Sequence, residues 1–224
     1  NPARLQRAEE LAQRALTLAP QLARAHSALG QVYGNRYHYA RAAEKFREAI
    51  RLDPQDPLAW DLLSWALAYK QPPEAQEAEK AAREAIRLQP NFPAAYYHLG
   101  RALLLQGRYQ EAIAAFEHVL ELSSEFDAAN LGLAQVYLAQ GNYDRALAEL
   151  EKMLRSRESA VVLVQFCSVY AMQGEKEKAL AELEKALENG YRDFAYLDSS
   201  PYFNPLRDDP RFQQLLRRYR NQPR

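Results

Sequence analysis

The sequence predicts an all-α protein, an array of stacked helical hairpins, and three observations lead there. Ala, Leu, Glu, Gln and Arg dominate, Val and Ile are scarce and only 8 of the 224 residues are Gly, a composition that favours helix over sheet. Apolar and small residues recur at i, i+3, i+4 and i+7, the spacing of one buried helical face. That pattern itself recurs about every 34 residues, so the chain grows along one axis and not around one core.

The clearest unit runs from Pro93 to Phe126, two amphipathic helices joined at Gly107. The first carries Tyr96, Leu99, Gly100 and Leu103 on one face, and the second carries Ala112, Ala115, Phe116 and Val119. A helix pair this short cannot enclose a core, so each must hide its stripe against a neighbouring copy. Aligned copies put Ala42, Ala78, Ala112, Ala146 and Ala179 in one register, spaced 36, 34, 34 and 33 residues apart. The first helices align through Leu29, Leu63, Leu99, Leu133 and Phe166. Beside these stand the small residues Gly30, Ser64, Gly100, Ala134 and Cys167, and three residues further lie Tyr33, Leu67, Leu103, Tyr137 and Tyr170. Small residues flanked by large ones let helices approach and interlock, which describes a packing surface.

Taken in order, residues 1–20 read as the second helix of an incomplete repeat, with Ala8, Ala12, Ala15 and Pro20 in register. The missing first helix and the start at Asn1 predict a segment of a longer protein. Complete repeats are expected at 21–56, 57–90, 93–126, 127–157 and 160–189. Tyr37 replaces the usual turn Gly of the first, and a bulky residue at positive φ costs about 1–2 kcal/mol, so a rearranged turn is expected there. The second carries two extra residues around Lys70-Gln71-Pro72-Pro73, a cheap insertion because loop closure depends weakly on length. Gly190 should stop the last helix. The tail, 191–224, breaks the period: Asp209-Pro210 opens a helix with Phe212, Leu215, Leu216 and Tyr219 on one face, suited to cap the last repeat.

These residues resemble the tetratricopeptide repeat (TPR) family, whose 34-residue unit has a bulky residue, Leu-Gly, Tyr, then Ala, an aromatic, Ala and a closing Pro. Trp60 and Tyr96, Leu29-Gly30 and Leu99-Gly100, Tyr33, Tyr137 and Tyr170, Ala42, Phe46, Ala49 and Pro54 fill those places over about residues 1–190. The run PLRDDPRFQQLL, residues 205–216, is similar to the ending of many bacterial TPR regions. The resemblance implies a right-handed superhelical solenoid with a concave groove that holds a peptide or protein segment. At 100° per residue, Ala94, Tyr97, Arg101, Leu104 and Leu105 turn away from the stacking stripe of their helix, and in TPR proteins that face lines the groove. Carried across, it comprises Arg24, Ser27, Gln31 and Asn35, then Leu58, Asp61, Trp65 and Tyr69, then Tyr97, Arg101 and Leu104. Leu131, Gln135 and Leu138 follow, then Val161, Val164, Ser168 and Met172. Gln31, Asn35, Asp61, Trp65, Tyr69, Tyr97, Arg101, Leu104, Leu131 and Gln135 are the expected partner-binding residues, with an aromatic floor of Trp65, Tyr69 and Tyr97 beside Arg101. Tyrosines also pack between adjacent first helices, so each aromatic has a structural reading as well. The Lys, Asn and Arg clamp with which some TPR domains hold acidic chaperone tails is missing: its places hold Ser27, Gln31, Leu62, Ala94 and His98.

Other functions find little support. His26, His38, His98 and His118 show no metal-ligand spacing, and His26 occupies the bulky packing place. No glycine loop cradles phosphate, Cys167 sits at the small packing site, and neither a cofactor nor catalysis is expected. Lys plus Arg and Asp plus Glu each number 29, so no global charge recruits nucleic acid or an acidic membrane. Arg211, Arg217, Arg218, Arg220 and Arg224 cluster at the end, where a helix C-terminus favours cations. No apolar span is long enough for a transmembrane helix. The expected function is a non-catalytic protein-interaction module; the alternatives are self-association through the array ends, giving a homo-oligomer, or a regulatory segment of a signalling protein.

Overall fold

The computed structural model describes residues 2–154 and 159–221, and these form helices joined by short turns, with no strand among them. The chain divides into two compact units, residues 1–129 and 130–224. In the first lie α1 (Pro2–Leu18), α2 (Ala23–Asn35), α3 (Tyr39–Leu52), α4 (Pro57–Tyr69), α5 (Ala75–Leu88), α6 (Pro93–Leu105) and α7 (Tyr109–Leu122). α8 (Asp127–Ala139) begins at its end and belongs mainly to the second, which continues with α9 (Tyr143–Leu154), α10 (Ala160–Gln173) and α11 (Lys176–Glu188). The tail forms α12 (Phe194–Ser199), a 3-10 turn at Pro201–Leu206 and α13 (Pro210–Arg220). Arg157 and Arg224, which the sequence reading assigned to the fourth repeat and the basic cluster, lie outside the described residues.

In the first unit α2 packs with α3, α4 with α5 and α6 with α7, and the second helix of each hairpin packs on the first helix of the next, α3 on α4 and α5 on α6. This unit is an all-α solenoid of stacked helical hairpins. Its register follows from side-chain size. A Cβ added at Gly100 would lie 2.8 Å from the Phe116 ring, so only glycine lets that fully buried ring close the α6–α7 hairpin. The bulky place of the repeat performs the same backbone task twice: Trp60 Nε1 donates to the Pro54 carbonyl at 3.0 Å, and His26 Nε2 donates to the Pro20 carbonyl at 2.9 Å. His26 is thus a packed residue that carries its proton on Nε2. Its start at Asp56, whose carboxylate accepts from Leu58 N, and Pro57 at the first position explain where α4 begins.

The α2–α3 turn is not rearranged, contrary to expectation. Tyr37 takes φ 64°, beside 72°, 73° and 82° for Gly107, Gly141 and Gly174. Tyr37 N donates to Gly34 O and His38 N to Tyr33 O, just as Gly107 N donates to Leu104 O and Arg108 N to Leu103 O. Stacking fixes both helix ends, and the two hydrogen bonds they close hold the left-handed residue in place despite a cost of about 1–2 kcal/mol. The longer α4–α5 turn holds a cis Gln71-Pro72 bond and a Lys70–Glu74 ion pair, and Glu74 N donates to Leu67 O.

In the second unit the tail packs on the last hairpin. Leu197, Phe203, Leu206, Phe212, Leu216 and Tyr219 share one buried cluster with Leu163, Val164, Cys167, Leu180, Leu183 and Leu187. Burying each large side chain contributes about 1.5–3 kcal/mol. Gly190, at φ 88°, ends α11, with Tyr191 N donating to Ala186 O. Burial pushes the Cys167 thiol well above its ordinary pKa, which leaves it a small packing residue.

Candidate functional site

The candidate face is built by two first helices of the first unit. On α4, Asp61, Trp65 and Tyr69 follow at intervals of four, one beneath the other, and on α6 Tyr97, Arg101 and Leu105 do the same. The Arg101 guanidinium lies over the Tyr69 ring, 4.6 Å from its centroid. Tyr97 and Tyr69 share a hydrogen bond, and the Tyr97 ring meets Phe126 at 5.6 Å and Phe116 at 5.7 Å. Burial, followed by the neighbouring Tyr69 phenol, pushes the Tyr97 hydroxyl far above its usual pKa against the opposing pull of Arg101. It stays neutral at any physiological pH.

Asp61 is only 3% exposed, and its Oδ1 accepts from His98 Nδ1 at 2.6 Å. The pair ties α4 to α6 and takes Asp61 out of reach of a partner, so its part in any groove is to hold α6. Trp65 likewise has a packing role. A Cβ at Gly34 would lie 2.3 Å from its indole, so the ring fills the notch that Gly34 leaves in α2. Its edge meets Tyr39, whose centroid is 5.7 Å away. Gln31, Arg101 and Leu104 are half-buried, Asn35 is exposed, and Leu58 and Leu105 are exposed by 46% and 43%. Leu131 and Gln135, both half-buried, hold the corresponding places on α8 in the second unit. On α10, Val164 and Ser168 are fully buried while Val161 and Met172 stay exposed.

Three stretches match family models described as tetratricopeptide repeat: residues 23–56, 63–125 and 103–160. The chain is a TPR protein. Solved structures agree in fold. A TPR protein from Parabacteroides merdae superposes with a TM-score of 0.76 at 18% identity, covering 98% of this chain and 79% of that one. A thermophilic TPR protein of Thermus thermophilus gives 0.72 at 20%, covering 82% and 98%. YrrB, described as a TPR protein with an unusual peptide-binding site, gives 0.53 at 19%, covering 84% and 96%. No curated protein matches the chain. TPR proteins are in general non-catalytic protein-interaction modules, and protein partners are what this fold serves. Among the described residues, no group of three or more His, Cys, Asp and Glu could hold a metal, and no helix is long and apolar enough to cross a membrane.

Two features of this TPR chain escaped the sequence reading. The Asp61–His98 pair joins residues 37 apart, one more than the 36 that separate equivalent places on these two first helices, a separation that a search for complementary polar residues near the repeat period would find. Tyr39, at the mouth of the α2–α3 turn, touches Tyr37, Trp65 and Tyr69, and its role depends on the Tyr37 backbone, which the sequence reading expected to differ. The basic tail is also less free than its composition suggests: Arg211 pairs with Asp209 and Glu177, Arg218 with Glu184 and Arg220 with Asp198. Asp209 also caps α13, and these bonds from Arg211 lower its pKa to about 2.

Proposed function

We propose that the chain binds a peptide or protein segment along the groove face of its first helices, with Gln31, Asn35, Tyr69, Arg101 and Leu104 making contact. Asp61, Trp65 and Tyr97 support that surface from behind, and in the second unit Leu131 and Gln135 hold the corresponding places on α8. One observation carries this reading. Of the nine large apolar side chains that stay exposed among the described residues, Leu58, Leu105, Val161 and Met172 lie on first helices at places turned away from the stacking stripe. Stacking does not need them there, and on α6 the apolar surface stands beside a guanidinium, the mixture of residue types that dominates binding hot spots. YrrB, a similar fold, is described as having a peptide-binding site, which makes the class of partner a reasonable one.

A peptide-display selection against the whole chain tests this. Selected peptides should lose about tenfold or more in affinity for a Leu105→Glu, Arg101→Glu variant, a change of about 1.4 kcal/mol or more. They should bind normally to Lys80→Glu, an exposed change on α5. Equal binding to all three proteins would remove the groove as the site.

A further inference from the structure

Beside this face the α2–α3 and α4–α5 turns enclose a cleft of about 610 Å³ lined by Tyr37, Tyr39, Arg41, Tyr69 and Lys70 together with His38, Ala40 and Gln71. Tyr37 is 80% exposed, so its ring returns almost nothing to the fold in exchange for the left-handed backbone it occupies. Where a side chain is retained at a cost to the backbone and shown to solvent, the reason is to be sought outside the fold. Its ring meets Tyr39 edge-on at 6.3 Å, and Tyr39 lies 5.7 Å from Tyr69, so three tyrosines form one row from the turn to the end of α4. Arg41 and Lys70 flank the row and no carboxylate lines the cleft. Lys70 is paired with Glu74, whereas the Arg41 guanidinium rests over the Tyr33 ring, 4.6 Å from its centroid.

We infer that this cleft docks an extended acidic segment of a partner protein in which every second residue is apolar. Alternate side chains of an extended strand point the same way and rise about 6.6–6.8 Å, close to the spacing of the tyrosine rings. Such a segment lays its apolar side chains over the rings, and its glutamates, which leave the other face of the strand, fold back past the strand edge to Arg41 beside the row. The proposal concerns a second surface, at the turn edge, and it meets the groove face only at Tyr69.

The test uses the whole chain and fluorescein-labelled eight-residue peptides, read by fluorescence anisotropy. Alternating Glu and Leu should bind, whereas alternating Lys and Leu, or Glu and Ser, should not. Tyr37→Gly should weaken the Glu-Leu peptide about tenfold while raising Tm by about 2–4 °C, because glycine accepts the positive φ without penalty. Arg41→Glu should remove binding, and Leu105→Glu should leave it unchanged. The inference is overturned if Tyr37→Gly binds as tightly as the parent, or if the Lys-Leu peptide binds equally well. Loss of binding in Leu105→Glu with none in Tyr37→Gly would assign the peptide to the groove, sinking the cleft while leaving the groove reading intact.

Discussion

In the α6–α7 turn Gly107 sits at φ 72° and shows solvent no side chain; in the α2–α3 turn Tyr37 holds φ 64° through the same two backbone hydrogen bonds and keeps its ring in water. The hairpins on either side of these turns are otherwise close copies. Phe46 closes on Gly30 as Phe116 closes on Gly100, with a virtual Cβ 2.7 and 2.8 Å from the ring. A repeat therefore separates two kinds of position. Those that set the stacking are filled alike from copy to copy, and those at the turn and on the outer helix face vary because stacking leaves them open. Tyr37 shows how far that freedom extends, since the geometry there is dictated by the repeat while the residue is not.

The largest effects should fall where the two hairpins agree. Phe46→Ala and Phe116→Ala each empty a fully buried site that faces a glycine unable to fill it, and each should cost about 3–5 kcal/mol in denaturant unfolding. The two losses should match within about 1 kcal/mol. A large gap between them would mean that the hairpins are not equivalent copies.

A somewhat smaller effect distinguishes the stacking contacts. Trp65 of α4 fills the notch at Gly34 of α2, whereas Arg101, its counterpart one repeat on, lies over Tyr69. Trp65→Ala should cost about 3 kcal/mol, the low end for a large aromatic because its ring is only half-buried. Arg101→Ala should cost under about 1 kcal/mol, the range of a cation over a partly exposed ring. Equal losses would deny Trp65 its packing role and return it to the exposed groove.

The turns themselves supply the third contrast. A Cβ at Gly107 meets no atom within 4 Å, so Gly107→Tyr tests backbone conformation alone and should cost about 1–2 kcal/mol. Chemical unfolding that shows no loss would indicate that this turn tolerates side chains freely, and Tyr37 would then carry no penalty needing explanation.

How much of this was legible follows the same division. The helix pairs, the small-against-large packing of Gly30 and Gly100, and the structural reading of His26 and Cys167 could be drawn from periodicity, because stacking repeats the same size constraint at a fixed interval. Angular position on a helix also marked Tyr97 and Arg101 as sharing a face. It could not show that Asp61 would be buried against His98 or that Trp65 would fill the Gly34 notch, since both depend on which residue the next helix presents. The turn at Tyr37 was misjudged for a related reason. Residue preference argued for a new geometry, and the closure of two packed helix ends outweighed it.

The smallest effect concerns the second helices, where α5 meets the start of α7. Glu79 Oε2 accepts from Arg108 at 2.6 Å and from Gln106 at 2.8 Å, and its other oxygen accepts from Arg83. Burial alone would raise the Glu79 pKa, but the hydrogen bonds from Gln106, Arg83 and Arg108 outweigh it and hold the value below the ordinary 4.5. A carboxylate with a lowered folded pKa stabilises the fold above its unfolded value, and that contribution is lost as pH falls through the folded one. Glu79→Gln should therefore cost about 1 kcal/mol at pH 7, a modest figure because both arginines are partly in solvent. The gap between the two proteins should then close below about pH 4.5, as the parent loses what the variant never had. Thermal unfolding followed from pH 7 to about pH 3 measures it. A gap that stays constant over that range would mean that Glu79 acts through packing, and the link from α5 to α7 would then rest on shape and not on charge.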